Sequence, residues 1–304
     1  MKLLRSGCAL ILSLMSAAAF AQGAGRSFVS AGSGSDSNGC TRQAPCRSFG
    51  AALATTVAGG EVIALDSGGY GPVSVNKSIS ITSPAGVYAG ITGSVALIPA
   101  VAVNAGASGS VVLDGLTLNS TGSNDGIDVI AAKTVVVKNL RITGFPDEGI
   151  FLTAPADLIV SDTVFRVNGD GIDAKCATRA TLSIEHSSFE DNDLTGILID
   201  DNIDASIRNS VIHGTNGVGL KVAPTTGGAT SQADVEACIF THNFSAIRSG
   251  GNGGTAAVRV SNSTITMNTF GLNTNPGSTL TTRTNNTLEA NDSDGSFTGS
   301  FTAK

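Results

Sequence analysis

An apolar residue that returns every 23 to 28 positions restricts the fold of this 304-residue chain more than any other feature. The segments VVVKNLRITG from Val135, LIVSDTVFRVNG from Leu158, LSIEHSSFEDN from Leu182, ASIRNSVIHG from Ala205, VEACIFTHN from Val235 and VRVSNSTITMN from Val258 each alternate apolar and polar residues. That is the pattern of a half-buried strand. Superposed, they place Leu118, Ile142, Phe165, Phe189, Ile212, Phe240, Ile265 and Leu288 in one column. A Gly-Ile-x-aliphatic motif gives a second column, Ile127, Ile150, Ile172, Ile197, Leu220, Ile247 and Leu272, spaced by 22 to 27. Val137, Val160, Ile184, Ile207, Val235 and Val260 form a third. The widest spacing in the first two columns has one cause, an extra turn at Thr225-Thr226-Gly227-Gly228-Ala229.

About three short strands per repeat make one turn of a coil. A unit this short cannot bury its apolar face alone, but stacking coils at about 4.8 Å builds a continuous core and pairs every strand edge. The expectation is an all-β parallel β-helix of about ten coils over residues 61–304. A leucine-rich repeat of similar period needs a regular Leu-x-x-Leu-x-Leu frame, which is missing. Asn168, Asn192, Asn243, Asn268 and Asn291 each fall three residues after the first column, with Phe145 and Thr215 in that place in two coils. Amides stacked in this way donate and accept between neighbouring turns, so they read as structural.

The chain before the coils differs. Lys2 and Arg5, an apolar run from Cys8 to Met15, and Ala19-Phe20-Ala21 read as a secretory signal peptide over residues 1–21. No later segment approaches a membrane span. Residues 22–60 are expected to cap the open end of the stack, with a helix in Ser48–Ala58 that starts from an N-cap serine and sets Phe49, Ala52 and Leu53 on one face. Without Lys2 and Arg5, 16 basic residues face 24 acidic ones, a net charge of −8. Such a surface is a poor partner for nucleic acid, whose binding rests on cationic contacts to phosphate. With Cys8 removed, four cysteines enter an oxidising compartment. Cys40 and Cys46 are close enough to bridge, while Cys176 and Cys238, about two coils apart, are expected to stay free.

The phrase Phe28-Val29-Ser30, Gly34-Ser35-Asp36-Ser37-Asn38, Thr41, Ala44-Pro45-Cys46, Ser48-Phe49, Gly59-Gly60-Glu61-Val62-Ile63 and Gly69-Tyr70 resembles the opening of secreted proteins of the pectin-lyase-like superfamily. With the coils behind it, the resemblance covers nearly all of the chain after the signal. It implies a right-handed parallel β-helix, exported to the periplasm or beyond. Its functional reach is short, because that fold serves polysaccharide lyases, polygalacturonases, alginate epimerases and adhesins alike. Gly169-Asp170-Gly171-Ile172-Asp173 and Asp200-Asp201 look like the aspartate parts of a polygalacturonase, but Gly-His-Gly, Arg-x-Lys and the Asp-Pro-His-Glu of the epimerases are missing. No catalytic residue is carried over from the resemblance.

Two clusters remain from the residues themselves. Asp125, Glu148 and Asp170 precede the motif glycine in three consecutive coils, with Asp128 and Asp173 three places further along the strand and Asp147 beside Glu148. Carboxylates at the strand spacing repel, so they are screened by water, relieved by a cation such as calcium, or held partly protonated. Arg166, Glu190 and His213 stack after the first apolar column, with Asp191 and His242 one place on. They read either as an acid–base set over a sugar or as a salt-bridged surface ladder. His186 shares a turn place with Asn139, Asp162 and Asn209. Most phenylalanines fall in inward places, and Phe151, in the outward column of Asp128 and Asp173, is the expected exception. The functional expectation is a protein that binds, and in one version processes, an extended polysaccharide along one face. The alternatives are a non-catalytic adhesin-like module and a calcium-dependent lyase using the acidic row with Arg166 or Lys175.

Overall fold

The computed structural model describes residues 24–251 and 253–302; the segment read as a signal peptide lies outside them. Three parallel sheets of 12, 9 and 10 strands run the length of the molecule, so nine coils carry all three strands and a tenth carries two. Each apolar column read from the sequence is a rung-by-rung pairing. Ile142 pairs with Phe165 and Phe165 with Phe189 in the ten-stranded sheet. Ile150 pairs with Ile172 in the nine-stranded sheet, and Val137 with Val160 in the twelve-stranded one. All of these side chains are buried in one continuous core.

The glycine of the Gly-Ile-x-aliphatic motif is a packing requirement. A Cβ on Gly149 would stand 2.5 Å from the carbonyl oxygen of Gly171 on the next rung and 3.1 Å from the Phe165 ring. The backbone therefore approaches a core aromatic more closely than any side chain permits.

The corners between sheets are built by two other columns. Between the twelve- and ten-stranded sheets, Asn139, Asp162, His186 and Asn209 all adopt the left-handed conformation, with φ of 57°, 49°, 49° and 49°. His186 is thus a turn residue. Between the ten- and nine-stranded sheets runs the amide ladder. Oδ1 of Asn192 accepts from the backbone N–H and from the Nδ2 of Asn168, and Asn268 and Asn291 serve Asn243 and Asn268 in the same way. The Thr225–Ala229 insertion is a surface turn fastened by Asp200 and Asp201, which accept from the backbone N–H groups of Thr225 and Thr226. That is where the Asp200-Asp201 pair is used.

The N-terminal segment contains the expected helix in shorter form, α1 (Phe49–Thr55), capped by Ser48 and burying Phe49, Ala52 and Leu53, with Thr56, Val57 and Ala58 in the following strand. It also contains more than a cap. Strand β1 (Ala24–Val29) pairs in parallel with β2 (Thr56–Ala64), so the sheet stack begins well before the boundary at residue 61 drawn from the sequence. With only Phe28 and Val29 as large apolar residues, β1 has no alternation to betray it. Asp66 ties this segment to the first coil, accepting from Ala31 N, Gly32 N, Ser30 Oγ and Tyr70 Oη. Burial works against its charge, yet these bonds hold its carboxyl well below the usual range. Cys40 and Cys46 form a disulfide with Cα atoms 4.6 Å apart. Cys176 and Cys238 are free and buried, at different corners of the coil.

Candidate functional site

Two columns face outward from the nine-stranded sheet. The first continues from Glu148 through Asp170, Thr195, Val218 and Ser245 to Phe270. Asp125 precedes Glu148 in it, two residues before the Ile127 that pairs with Ile150. The second runs Asp128, Phe151, Asp173, Leu198, Lys221, Arg248 and Asn273. Acidic groups crowd the N-terminal half of this strip, and its two cations sit on adjacent rungs further along.

The acidic row is no open, hydrated face. Asp170 is only 8% exposed, and Asp125, Glu148, Asp128 and Asp173 are half-buried. Carboxylate oxygens of Glu148, Asp170 and Asp173 lie within 4.8 Å of one another, as do those of Asp125, Asp147 and Glu148. Asp128 falls outside both groups, because the Phe151 rung separates it from Asp173. Oδ1 atoms of Asp128, Asp170 and Asp173 are buried without a hydrogen-bond partner.

Burial, together with a hydrogen bond to Asp125 and repulsion from Asp125, Asp173 and Asp147, pushes the Glu148 carboxyl up to about 9. Burial and the charges of Asp170 and Asp200 push Asp173 to about 7, and burial with Asp125 pushes Asp128 to about 6. Burial raises Asp170 as well, against the pull of Thr195 and Lys221. A half-buried set of carboxyls with orphaned oxygens is short of positive charge.

Of the cations expected to serve this row, Lys175 is paired with Asp200 while its charge also reaches Asp173, and Arg166 lies on another sheet. Lys175 Nζ is 3.2 Å from Asp200 Oδ2 and 3.3 Å from Thr225 Oγ1. Arg166 lies on the outer face of the ten-stranded sheet, 4.0 Å from Glu190 and 3.7 Å from Asp191. Arg166, Glu190 and His213 do occupy consecutive rungs there. They form a ladder on a different face from the acidic cluster. The cations that share the sheet with it are Lys221 and Arg248, which the sequence reading passed over. Neither makes an ion pair among the described residues, and both line a cavity of about 250 Å³ with Leu198 and Asp200. The buried Nε of Arg248 has no partner.

Comparison with known proteins agrees with this architecture. Residues 91–240 match the family described as right handed beta helix region. The structure of pectate lyase Pel9A superposes over 92% of this chain and 78% of its own, with a TM-score of 0.62 at 16% identity. A complex of XylC with xylose superposes over 82% and 70%, with a TM-score of 0.59 at 10% identity. No curated protein sequence matches the chain. The chain folds as a right-handed parallel β-helix. Among the described residues no helix is long and apolar enough to cross a membrane.

Proposed function

We propose that this is an exported protein that lays an extended, acid-bearing polysaccharide along the outer face of the nine-stranded sheet and holds calcium at Glu148, Asp170 and Asp173, with Asp125 and Asp128 flanking. The observation that carries this reading is the pair of buried carboxylate oxygens without partners at Asp170 and Asp173 on one strand, with Glu148 paired to Asp170 from the rung before. A carboxylate taken out of water without a compensating donor is costly, and a cation removes the cost. Oxygen ligands on neighbouring rungs suit the loose, high-coordination geometry of calcium. Lys221 and Arg248 further along the strip supply positive charge for acidic groups of the polymer.

Export is supported by the Cys40–Cys46 disulfide, which persists in oxidising compartments, and by the signal-like N-terminal sequence. The lyase version gains one supporting observation, an unpaired Lys221 on the sheet that carries the acidic cluster. The deciding experiment is binding of acidic and neutral polysaccharides with and without calcium, followed by an assay for unsaturated sugar products. Calcium-dependent binding lost in Glu148→Gln with Asp170→Asn is expected. Release of unsaturated products, abolished by Lys221→Ala, selects the lyase; binding without products selects a binding protein. Absence of any glycan binding rejects the proposal in favour of an adhesin-like module.

A further inference from the structure

The amide ladder is interrupted at one step. Phe145 N–H donates to Asn168 Oδ1, Asn168 to Asn192, Thr215 to Asn243, Asn243 to Asn268 and Asn268 to Asn291, at 2.9 to 3.1 Å. Between Asn192 and Thr215 there is no side-chain amide to accept. Thr215 is 1% exposed, and its Oγ1 has no hydrogen-bond partner. Inside the run from Asn168 to Asn291 the amide is missing on that one rung, and a gap within a repeated device marks a place where something other than stability is served.

The interruption lies beside the most exposed aromatic pair among the described residues. Phe244 is 53% and Phe270 39% exposed, with ring centroids 5.3 Å apart and planes at 78°. Together they form a corner with a floor and a wall. A cavity of about 350 Å³ opens next to it, lined by Phe244, Met267, Asn216, His242 and Thr269, with the buried Thr215 behind them. None of its lining side chains carries a fixed charge. His242 uses its Nδ1 on Thr241 Oγ1, which leaves the far edge of the ring toward other partners. Exposed aromatic faces with uncharged donors and acceptors around them match a ligand that is apolar on one face and hydroxylated at its rim.

We propose that Phe244 and Phe270, beside the ladder gap at Thr215, form a stacking site for an uncharged pyranose unit, separate from the acidic cluster. Phe270 stands in the same column as Glu148, five coil steps on, or about 24 Å at the strand spacing. The assignment rests on the glycan reading of that sheet face and extends it: the strip ends in a platform that grips a sugar by its face whatever its charge. One polymer spans both places, with its acidic units over the carboxyl and cation rungs and a neutral unit against the aromatic corner.

The test uses the whole protein without added calcium and titrates it calorimetrically with neutral hexasaccharides of β-1,4-linked glucose and β-1,4-linked xylose. Wild type is expected to bind at least one, and Phe244→Ala and Phe270→Ala to weaken it about tenfold each, while Phe270→Tyr retains it. Both phenylalanines lie outside the core, so these variants stay folded, with a melting temperature lowered by no more than the loss of the ring pair. Thr215→Asn, which restores the ladder, is expected to raise the melting temperature and to weaken saccharide binding. No binding of either neutral saccharide, or binding unchanged in both alanine variants, overturns the proposal. So does a concentration-dependent dimer lost in the same variants, which would make a second copy the occupant. Loss of calcium-dependent binding to an acidic polymer in the Glu148→Gln, Asp170→Asn variant does not bear on these readouts, so the two sites stand or fall separately.

Discussion

Nδ2 of Asn168 donates to Oδ1 of Asn192 at 3.2 Å, while the same oxygen accepts the Asn168 backbone N–H at 3.1 Å. One side chain thus satisfies two buried donors of the coil before it. Asn192→Ala leaves the Asn168 backbone N–H without an acceptor and its Nδ2 with the Ile142 carbonyl alone, at 3.3 Å, and an orphaned buried group costs about 1 to 3 kcal/mol. The variant is expected to lose roughly 3 kcal/mol in denaturant unfolding. Asn168→Ala combined with it is expected to cost clearly less than the sum of the two single changes, because the pair shares a bond.

Phe189 lies flat on Phe165, with centroids 4.6 Å apart and planes at 3°, and both rings are fully buried. Phe189→Asp places an unpaired charge between two coils and is expected to prevent stable folding. Ser183→Asp, on the outward side of the same coil, is expected to melt within a few degrees of wild type. Equal melting of the two variants by circular dichroism would contradict the register.

Gly149→Ala is expected to destabilise severely, since its Cβ meets the backbone carbonyl of Gly171, which cannot move without shifting the next rung. Gly227→Ala, in the exposed insertion with nothing within 4 Å, is expected to be neutral. Comparative thermal melts of the two decide the matter.

The acidic cluster gives stability a pH dependence of definite sign. Carboxyls whose pKa is raised by folding stabilise the fold fully below their ordinary values of 3.8 and 4.5. That contribution is lost as pH rises through about 6, 7 and 9 for Asp128, Asp173 and Glu148. Without divalent cations the melting temperature should therefore fall from near pH 4 toward pH 9, and Glu148→Gln should flatten the fall. Calcium should restore the alkaline loss by about 2.7 kcal/mol at roughly 100 times its Kd. Equal melting with and without millimolar calcium at pH 8 would reject the cation site.

The coils were legible because a buried strand column tolerates only apolar residues, so Ile142, Phe165 and Phe189 repeat whatever else varies. The acidic row was legible because it is pinned to the motif glycine. Its burial was not, since the neighbours that shield Asp170 come from other rungs. Lys221 and Arg248 escaped notice because an isolated cation in an outward column looks like any surface residue until the rung beside it is known. Phe244 and Phe270 were counted among the inward phenylalanines. In fact Phe244 lies in a corner and Phe270 opens a strand in a column of otherwise smaller side chains, so no apolar alternation exposes either. Arg166 and Lys175 were chosen by charge alone, which carries no information about which sheet or which partner a side chain meets.

Because each coil pairs only with the one before and the one after, the distance from Glu148 to Lys221 or to Phe270 is set by the number of rungs between them. Thr195 pairs with Val218, so losing the stretch from Thr195 through Gly217 would rejoin Leu194 to Val218 with every column still in line. The fold is a ruler graduated in steps of about 4.8 Å. A lineage that gains or drops a whole coil retunes the length of polymer spanning its two ends without redesigning either one.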